Sequence, residues 1–189
     1  MTISRVLLIG PPGAGKGTQA GRLCDTLGIV PLSTGQVFRE NISGGTELGK
    51  LAQSYMEKGE FVPDQVTNSL VADALHSDRF AAGFMLDGYP RTQAQAEYLD
   101  GVLEADGKAL DLVIEIDVNE DDLVDRLLKR ATIEGRADDT EPVIRHRMEV
   151  YKEQTLPLIA FYRDRGLLKV VDGNGTIDEV WERIEALLK

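Results

Sequence analysis

Apolar residues along this chain gather in five short runs: Val6–Ile9, Ile29–Leu32, Phe84–Leu86, Leu112–Ile116 and Leu168–Val171. Each has the length of a strand, and helical patterns separate them. Short apolar runs alternating with helices predict parallel strands joined by right-handed crossovers. The fold class is therefore α/β, a three-layer αβα arrangement around a five-stranded parallel sheet. Several helix starts are written in the sequence. Pro63 suits a first helical turn, Asn119 can cap Glu120-Asp121-Asp122, and Thr176 with Glu179 forms a capping box. Pro157, inside the long helical pattern 141–164, predicts a kink or an interruption.

Two segments break the alternation. Residues 33–77 hold several helical stretches punctuated by Gly35, Gly44-Gly45, Gly49 and Gly59, and residues 131–139 are short, polar and charged. The first lies between the second and third strands and the second between the fourth and fifth, and both are expected at the carboxyl ends of strands, where open α/β sheets bind ligands. With 189 residues and no repeats, low-complexity tracts or linkers, the chain reads as one domain with small insertions.

The first run leads directly into Gly10-Pro-Pro-Gly-Ala-Gly-Lys-Gly-Thr18, followed by a helical stretch over 18–27 with Leu23 and Leu27 on one side. The Gly-x-x-x-x-Gly-Lys spacing between a strand and a helix is that of a phosphate-binding P-loop. Glycines let the turn approach a polyphosphate, backbone N–H groups line it, and the helix N-terminus completes an anion site. Lys16 supplies a point charge for the β- and γ-phosphates. Gly17 stands where a direct magnesium ligand is expected, and Thr18 comes one residue later. Magnesium is therefore expected to be held mainly by water and nucleotide oxygens.

Composition narrows the classes. A net charge of −11 without any basic block argues against a general nucleic-acid binder. No stretch is long enough to span a bilayer, and the first apolar run ends in the P-loop rather than at a cleavage site. The single cysteine, Cys24, excludes an internal disulfide and a Cys-rich zinc site, and it reads as a buried structural thiol. A reduced, cytoplasmic protein is expected.

Thirteen arginines against eight lysines is a bias suited to phosphate oxygens. Arg126 and Arg130 are four apart on a helix whose apolar face is Leu123, Val124, Leu127 and Leu128, so they share the exposed face. Arg145 and Arg147 point to opposite sides, and at most one is expected at the same site. Arg136 lies in the charged loop with Asp138-Asp139, and Arg91 follows Asp87-Gly88-Tyr89-Pro90. Asp87 ends the third run, where a P-loop protein places an acid that orients magnesium-bound water. Gly88 follows it, not the glutamate that water-activating ATPases carry, and neither His76 nor His146 lies in a motif. With no general base, the pattern favours transfer to a phosphate oxyanion over hydrolysis, by positioning and charge neutralisation.

Three further segments resemble the adenylate kinases, within the nucleoside monophosphate kinases. These are Ser33-Thr34-Gly35-Gln36-Val37-Phe38-Arg39, Asp87 to Gln95, and Arg136-Ala137-Asp138-Asp139 with Arg145-His146-Arg147. The resemblance runs in order from Val6 to Gly175 and implies reversible transfer from Mg·ATP to AMP, giving two ADP. It further implies a core (1–32, 63–130, 140–189), a monophosphate-binding lobe (33–62) and a short lid (131–139) without structural zinc. Gly13, Ala14, Gly15, Lys16, Gly17 and Thr18 would wrap the ATP phosphates, with Arg126, Arg130 and Gly175 on the ATP side. Thr34, Arg39, Glu60, Phe61 and Val62 would hold AMP, and Gly88, Tyr89, Pro90 and Arg91 its phosphate. Gln95 would read the adenine edge, while Arg136 and Arg147 clamp the phosphates between the nucleotides. The catalytic set implied is Lys16, Arg91, Arg126, Arg130, Arg136 and Arg147. Gln36 and Glu60 depart from residues common in the family, Asp and Lys. UMP/CMP kinases share two of the motifs but usually carry Ala at Thr34 and Asn at Gln95; they are the nearest alternative, with a P-loop ATPase or switch behind. No oligomer interface is evident, and a monomer is the default expectation.

Overall fold

The computed structural model describes residues 2–136 and 140–189. The chain begins with β1 (Arg5–Ile9), α1 (Lys16–Leu27) and β2 (Val30–Ser33), followed by three helices in succession: α2 (Thr34–Ser43), α3 (Glu47–Met56) and α4 (Asp64–Leu75). Then come β3 (Phe84–Asp87), α5 (Gln93–Ala105), β4 (Leu112–Asp117), α6 (Glu120–Glu134) and α7 (Glu141–Val150). A π-helical turn (Tyr151–Thr155) leads into α8 (Pro157–Asp164), β5 (Leu168–Asp172) and α9 (Ile177–Leu187).

All five apolar runs are strands, and they form one parallel sheet in the order β2-β3-β1-β4-β5. Alternation along the central strand explains its unbroken hydrophobicity, since its two sets of side chains enter different cores. Val6 and Leu8 pack with Leu23, Ile114, Leu127, Ile144 and Ile184 on one face. Leu7 and Ile9 pack with Leu86, Leu99, Val113, Leu158 and Tyr162 on the other. Helices α1, α6, α7 and α9 thus cover one face and α4, α5 and α8 the second. Pro31, which lacks an N–H for the ladder, sits in β2 at the sheet edge. A third cluster of Phe38, Ala52 and Val62 holds α2 and α3 against their own core, apart from the sheet.

Local signals are met unevenly. Thr176 and Glu179 form the capping box, with the Thr176 N–H donating to Glu179 Oε2 at 2.7 Å. Pro157 opens α8 after the π-helical turn, so the long pattern is interrupted as expected. Pro63 is one residue earlier than expected, at the N-cap of α4. Asn119 occupies the N-cap of α6 but its side chain makes no capping bond; Glu120, Asp121 and Asp122 provide the first-turn charge instead. α1 begins at Lys16 rather than Thr18, and α6 continues through Glu134 before Gly135 ends it, so residues 131–134 are helical. Leu128, expected on the apolar face of α6, is exposed. Gly35 and Gly49 lie inside α2 and α3 rather than between them. A β-carbon on Gly49 would come within 2.1 Å of the Asn41 carbonyl oxygen, so glycine serves there to let the two helices touch.

Candidate active site

The turn between β1 and α1 rests on two left-handed residues, Gly13 (φ 83°) and Gly15 (φ 93°), a conformation that only glycine adopts readily. Gly13 packs on Leu127, whose fully buried side chain fixes the loop to α6. Lys16 lies at the first residue of α1 and donates to the carbonyls of Gly10 at 2.8 Å and Pro11 at 3.1 Å. Burial pulls its pKa down to about 8; Asp87 opposes that shift, while Arg91, Arg147 and Arg130 reinforce it. Four cations from four different parts of the chain therefore converge at the carboxyl end of the sheet, with one carboxylate among them.

This charge borders an open cavity, about 960 Å³ when the solvent at its mouth is counted. On one side lie Gly10, Pro12 and Lys16; on another, Gly88, Pro90, Arg91 and Gln95 follow β3. Thr34, Phe38, Arg39 and Met56 from α2 and α3 form a third wall with the 59–62 turn, and Arg147, Tyr151 and Thr155 form a fourth. Apolar walls with a few convergent polar groups suit a small-molecule site.

Arg91 is held at three points. Its N–H donates to Gln95 Oε1 at 2.7 Å, and its Nε donates to the Gly88 carbonyl at 2.8 Å. Its own carbonyl accepts from the Thr155 hydroxyl at 2.8 Å. The guanidinium carbon lies 5.0 Å from the centre of the Phe61 ring. Thr34 Oγ1 also donates to the Gly88 carbonyl, at 3.0 Å. Gln95, almost fully buried, donates through Nε2 to Asp64 Oδ1 at 2.7 Å. Among the described residues, no cluster of three His, Cys, Asp or Glu side chains could hold a metal ion. Asp87 as a single carboxylate beside the loop fits a magnesium ion that keeps most of its ligands as water and phosphate oxygens.

A P-loop at the end of a parallel sheet, ringed by arginines and facing a second helical wall, is a geometry that comparison with known proteins resolves. A profile of the adenylate kinase family matches residues 8–167. The chain belongs to the adenylate kinase family. The adenylate kinase of Kocuria rhizophila is 55% identical over 187 residues, spanning 99% of this chain and 100% of that one. That of Thermobifida fusca is also 55% identical, over 98% of each chain. The Micrococcus luteus enzyme is 53% identical over 96% of this chain and 89% of its own.

The residues that the adenylate kinase resemblance implied are distributed unevenly about the cavity. Lys16, Thr34, Arg39, Glu60, Phe61, Val62, Gly88, Pro90, Arg91, Gln95 and Arg147 line it. Tyr89 does not, because its ring turns into the core, where the hydroxyl donates to Asn68 Oδ1 at 2.7 Å. Arg130 acts electrostatically on Lys16, whereas Arg126 donates to the Gly173 carbonyl at 3.3 Å, beside the loop that holds Gly175. Arg136 pairs with Glu134 at 2.5 Å and does not line the cavity; Ala137, Asp138 and Asp139 of the same motif lie outside the described residues. Arg145 pairs with Glu141 on the exposed side of α7, so the alternation of Arg145 and Arg147 sorts them as expected. Cys24 is buried, and burial lifts its thiol to about 11, which fits a structural role.

Sequence reasoning missed Thr155 and Asp64. Thr155 is 64 positions from the carbonyl it meets, and nothing local marks it. Asp64 directly follows Pro63 at the start of α4, a position that reads from sequence as a favourable first-turn acid.

Proposed function

We propose that this chain catalyses reversible transfer of the terminal phosphoryl group of Mg·ATP to AMP, giving two ADP. The observation that carries this reading is the convergence of Lys16, Arg91, Arg130 and Arg147 on one P-loop that faces a second, base-sized wall containing Thr34 and Gln95. Full-length similarity to adenylate kinases supports it and does not favour a pyrimidine monophosphate kinase.

In this reading the loop from Gly13 to Thr18 binds the ATP phosphates, with Arg126, Arg130 and Gly175 on that side. Thr34, Arg39 and the 60–62 turn hold AMP, Gly88 to Arg91 present its phosphate, and Gln95 faces its base. Tyr89 contributes through its backbone alone. Arg147 and Arg136 meet the phosphates between the nucleotides. The acceptor is already an oxyanion, so catalysis requires alignment and charge compensation rather than proton removal. Magnesium, when bound beside Asp87, neutralises charge on the phosphate oxygens. Residues 33–62 form the acceptor lobe and residues 1–32, 63–130 and 140–189 the core; the short lid assigned to 131–139 falls partly outside the described residues.

A cytoplasmic monomer is the accompanying proposal. Among the described residues no helix is long and apolar enough to cross a membrane. Sedimentation of the purified chain tests the oligomeric state.

The deciding assay follows products from Mg·ATP with AMP, UMP, CMP, GMP or no acceptor. ADP formed at two per AMP consumed, with little turnover of the other acceptors, is the expected result. UMP or CMP turnover would keep the phosphate site and reject the base assignment. Phosphate release without an acceptor would make the chain a hydrolase.

A further inference from the structure

A glutamine amide can read a base only if its oxygen and nitrogen are told apart, because reversing it exchanges a donor for an acceptor. At Gln95 the surroundings impose that choice. The Arg91 N–H can only donate, and it meets Oε1 at 2.7 Å. The Asp64 carboxylate can only accept, and its Oδ1 meets Nε2 at 2.7 Å. A reversed amide would set NH₂ against N–H and a carbonyl against a carboxylate. Asp64 is itself held in place. The Thr92 hydroxyl donates to Asp64 Oδ2 at 3.1 Å while its oxygen caps α5 by accepting the Gln95 N–H at 3.2 Å.

The geometry points to Asp64 as a positioning residue that sets acceptor-base specificity through Gln95. This rests on the reading above that Gln95 faces the acceptor base. With Arg91 and Asp64 satisfied, the amide keeps one Nε2–H and one Oε1 lone pair for a ligand. That pair complements the edge of adenine, which offers an amino donor beside a ring-nitrogen acceptor. Hypoxanthine, guanine and uracil offer the reverse, a carbonyl acceptor beside a ring N–H, and would fit only the flipped amide. Cytosine shares the polarity of adenine, so its exclusion falls to the size and shape of the pocket. Without Asp64 the amide is oriented by Arg91 alone, and flipping it forfeits one hydrogen bond instead of two. Asp64 does not border the cavity, so it acts without touching the nucleotide.

Inosine monophosphate is the discriminating probe, because its base presents the reversed pair at almost unchanged shape. Steady-state kinetics with AMP and with inosine monophosphate at saturating Mg·ATP are compared for wild type, Asp64→Ala and Asp64→Asn. In Asp64→Ala the AMP-over-inosine preference in kcat/KM should fall about 10-fold or more, carried by KM, with kcat for AMP within about threefold. Asp64→Asn is nearly isosteric but carries an amide that can turn to match either orientation of Gln95, so it should lose the preference much as Asp64→Ala does. Should Asp64→Ala fail to fold, Asp64→Ser takes its place: it suits a helix start, and its oxygen lies one bond short of the amide. An unchanged preference in the Ala or Ser variant overturns the proposal, as does a preference fully retained in Asp64→Asn. A uniform drop with both acceptors would mark a merely structural role and also overturn it. A wild-type chain that fails to phosphorylate AMP would instead reject the underlying reading of function, whatever the variants do.

Discussion

Lys16 illustrates how one residue takes its chemistry from its surroundings. Its ammonium is lowered to about 8, first by burial and then by three nearby arginines. Bound polyphosphate would raise it again, because negative charge favours the protonated form. Between the two values, nucleotide binding must take up a proton, and affinity must fall as pH rises above about 8. Titration calorimetry with ATP at pH 9, in buffers of different ionisation heat, should show proton uptake that vanishes near pH 6.5; uptake equal at both pH values would exclude this account. Lys16→Met and Arg91→Ala should each lower kcat/KM about 100-fold or more while leaving the far-UV spectrum and melting point nearly unchanged. Retained activity in either would remove the charge-compensation mechanism. Motif residues of this kind were readable because their spacing encodes their chemistry. Tyr89 shows where that stops: it belongs to the same motif as Arg91, yet its ring is in the core, since a motif fixes order along the chain and not side-chain direction.

At the scale of elements, two close contacts hold the walls of the site. The π-helical turn ahead of α8 delivers Thr155 to the Arg91 carbonyl, joining the α7–α8 segment to the phosphate-facing arginine. Thr155→Val keeps shape and removes the donor; it should lower kcat/KM for AMP about 5- to 10-fold, equivalent to the net worth of one buried hydrogen bond. An unaltered value would mean that Phe61, Gly88 and Gln95 suffice to place Arg91. Within the acceptor lobe, Gly49 permits α2 and α3 to touch. Gly49→Ala must separate backbone from backbone, destabilising the lobe by about 1–3 kcal/mol. Hydrogen exchange should show faster exchange confined to 34–56, together with a raised KM for AMP; uniform protection equal to wild type would refute the close-contact role. Both contacts hide from periodicity. Gly49 reads as a helix boundary in the sequence, and Thr155 carries no pattern at all.

Across the whole molecule, the two main cores lie on opposite faces of the sheet, whereas α2 and α3 depend on a third, smaller cluster. A lobe with its own core can move as a unit without exposing the main ones. Closure of the 33–62 lobe over its nucleotide is therefore expected. Labels placed on exposed residues of α3 and α5 should approach one another when a bisubstrate analogue bridging ATP and AMP is added. Unchanged label distances with the analogue bound would leave a rigid site and reject closure. Chain order and spatial order also part company at this scale: β3 lies between β1 and β2, so the loops after β1 and β3 become neighbours and bring Lys16 beside Asp87 and Arg91.

The sequence by itself determined the class of fold, the five strands, the P-loop with its phosphate chemistry and the residue types around it. Hydrophobic period, turn chemistry and motif spacing are properties of neighbours along the chain, and they are legible there. The tertiary structure decided the strand order, the left-handed glycines on which the loop turns and the burial that shifts Lys16. It also decided which of Arg145 and Arg147 faces the cavity and which contacts tie Thr155 and Asp64 to the site. Those features arise between segments far apart in sequence, where hydrogen-bond geometry and burial depend on packing.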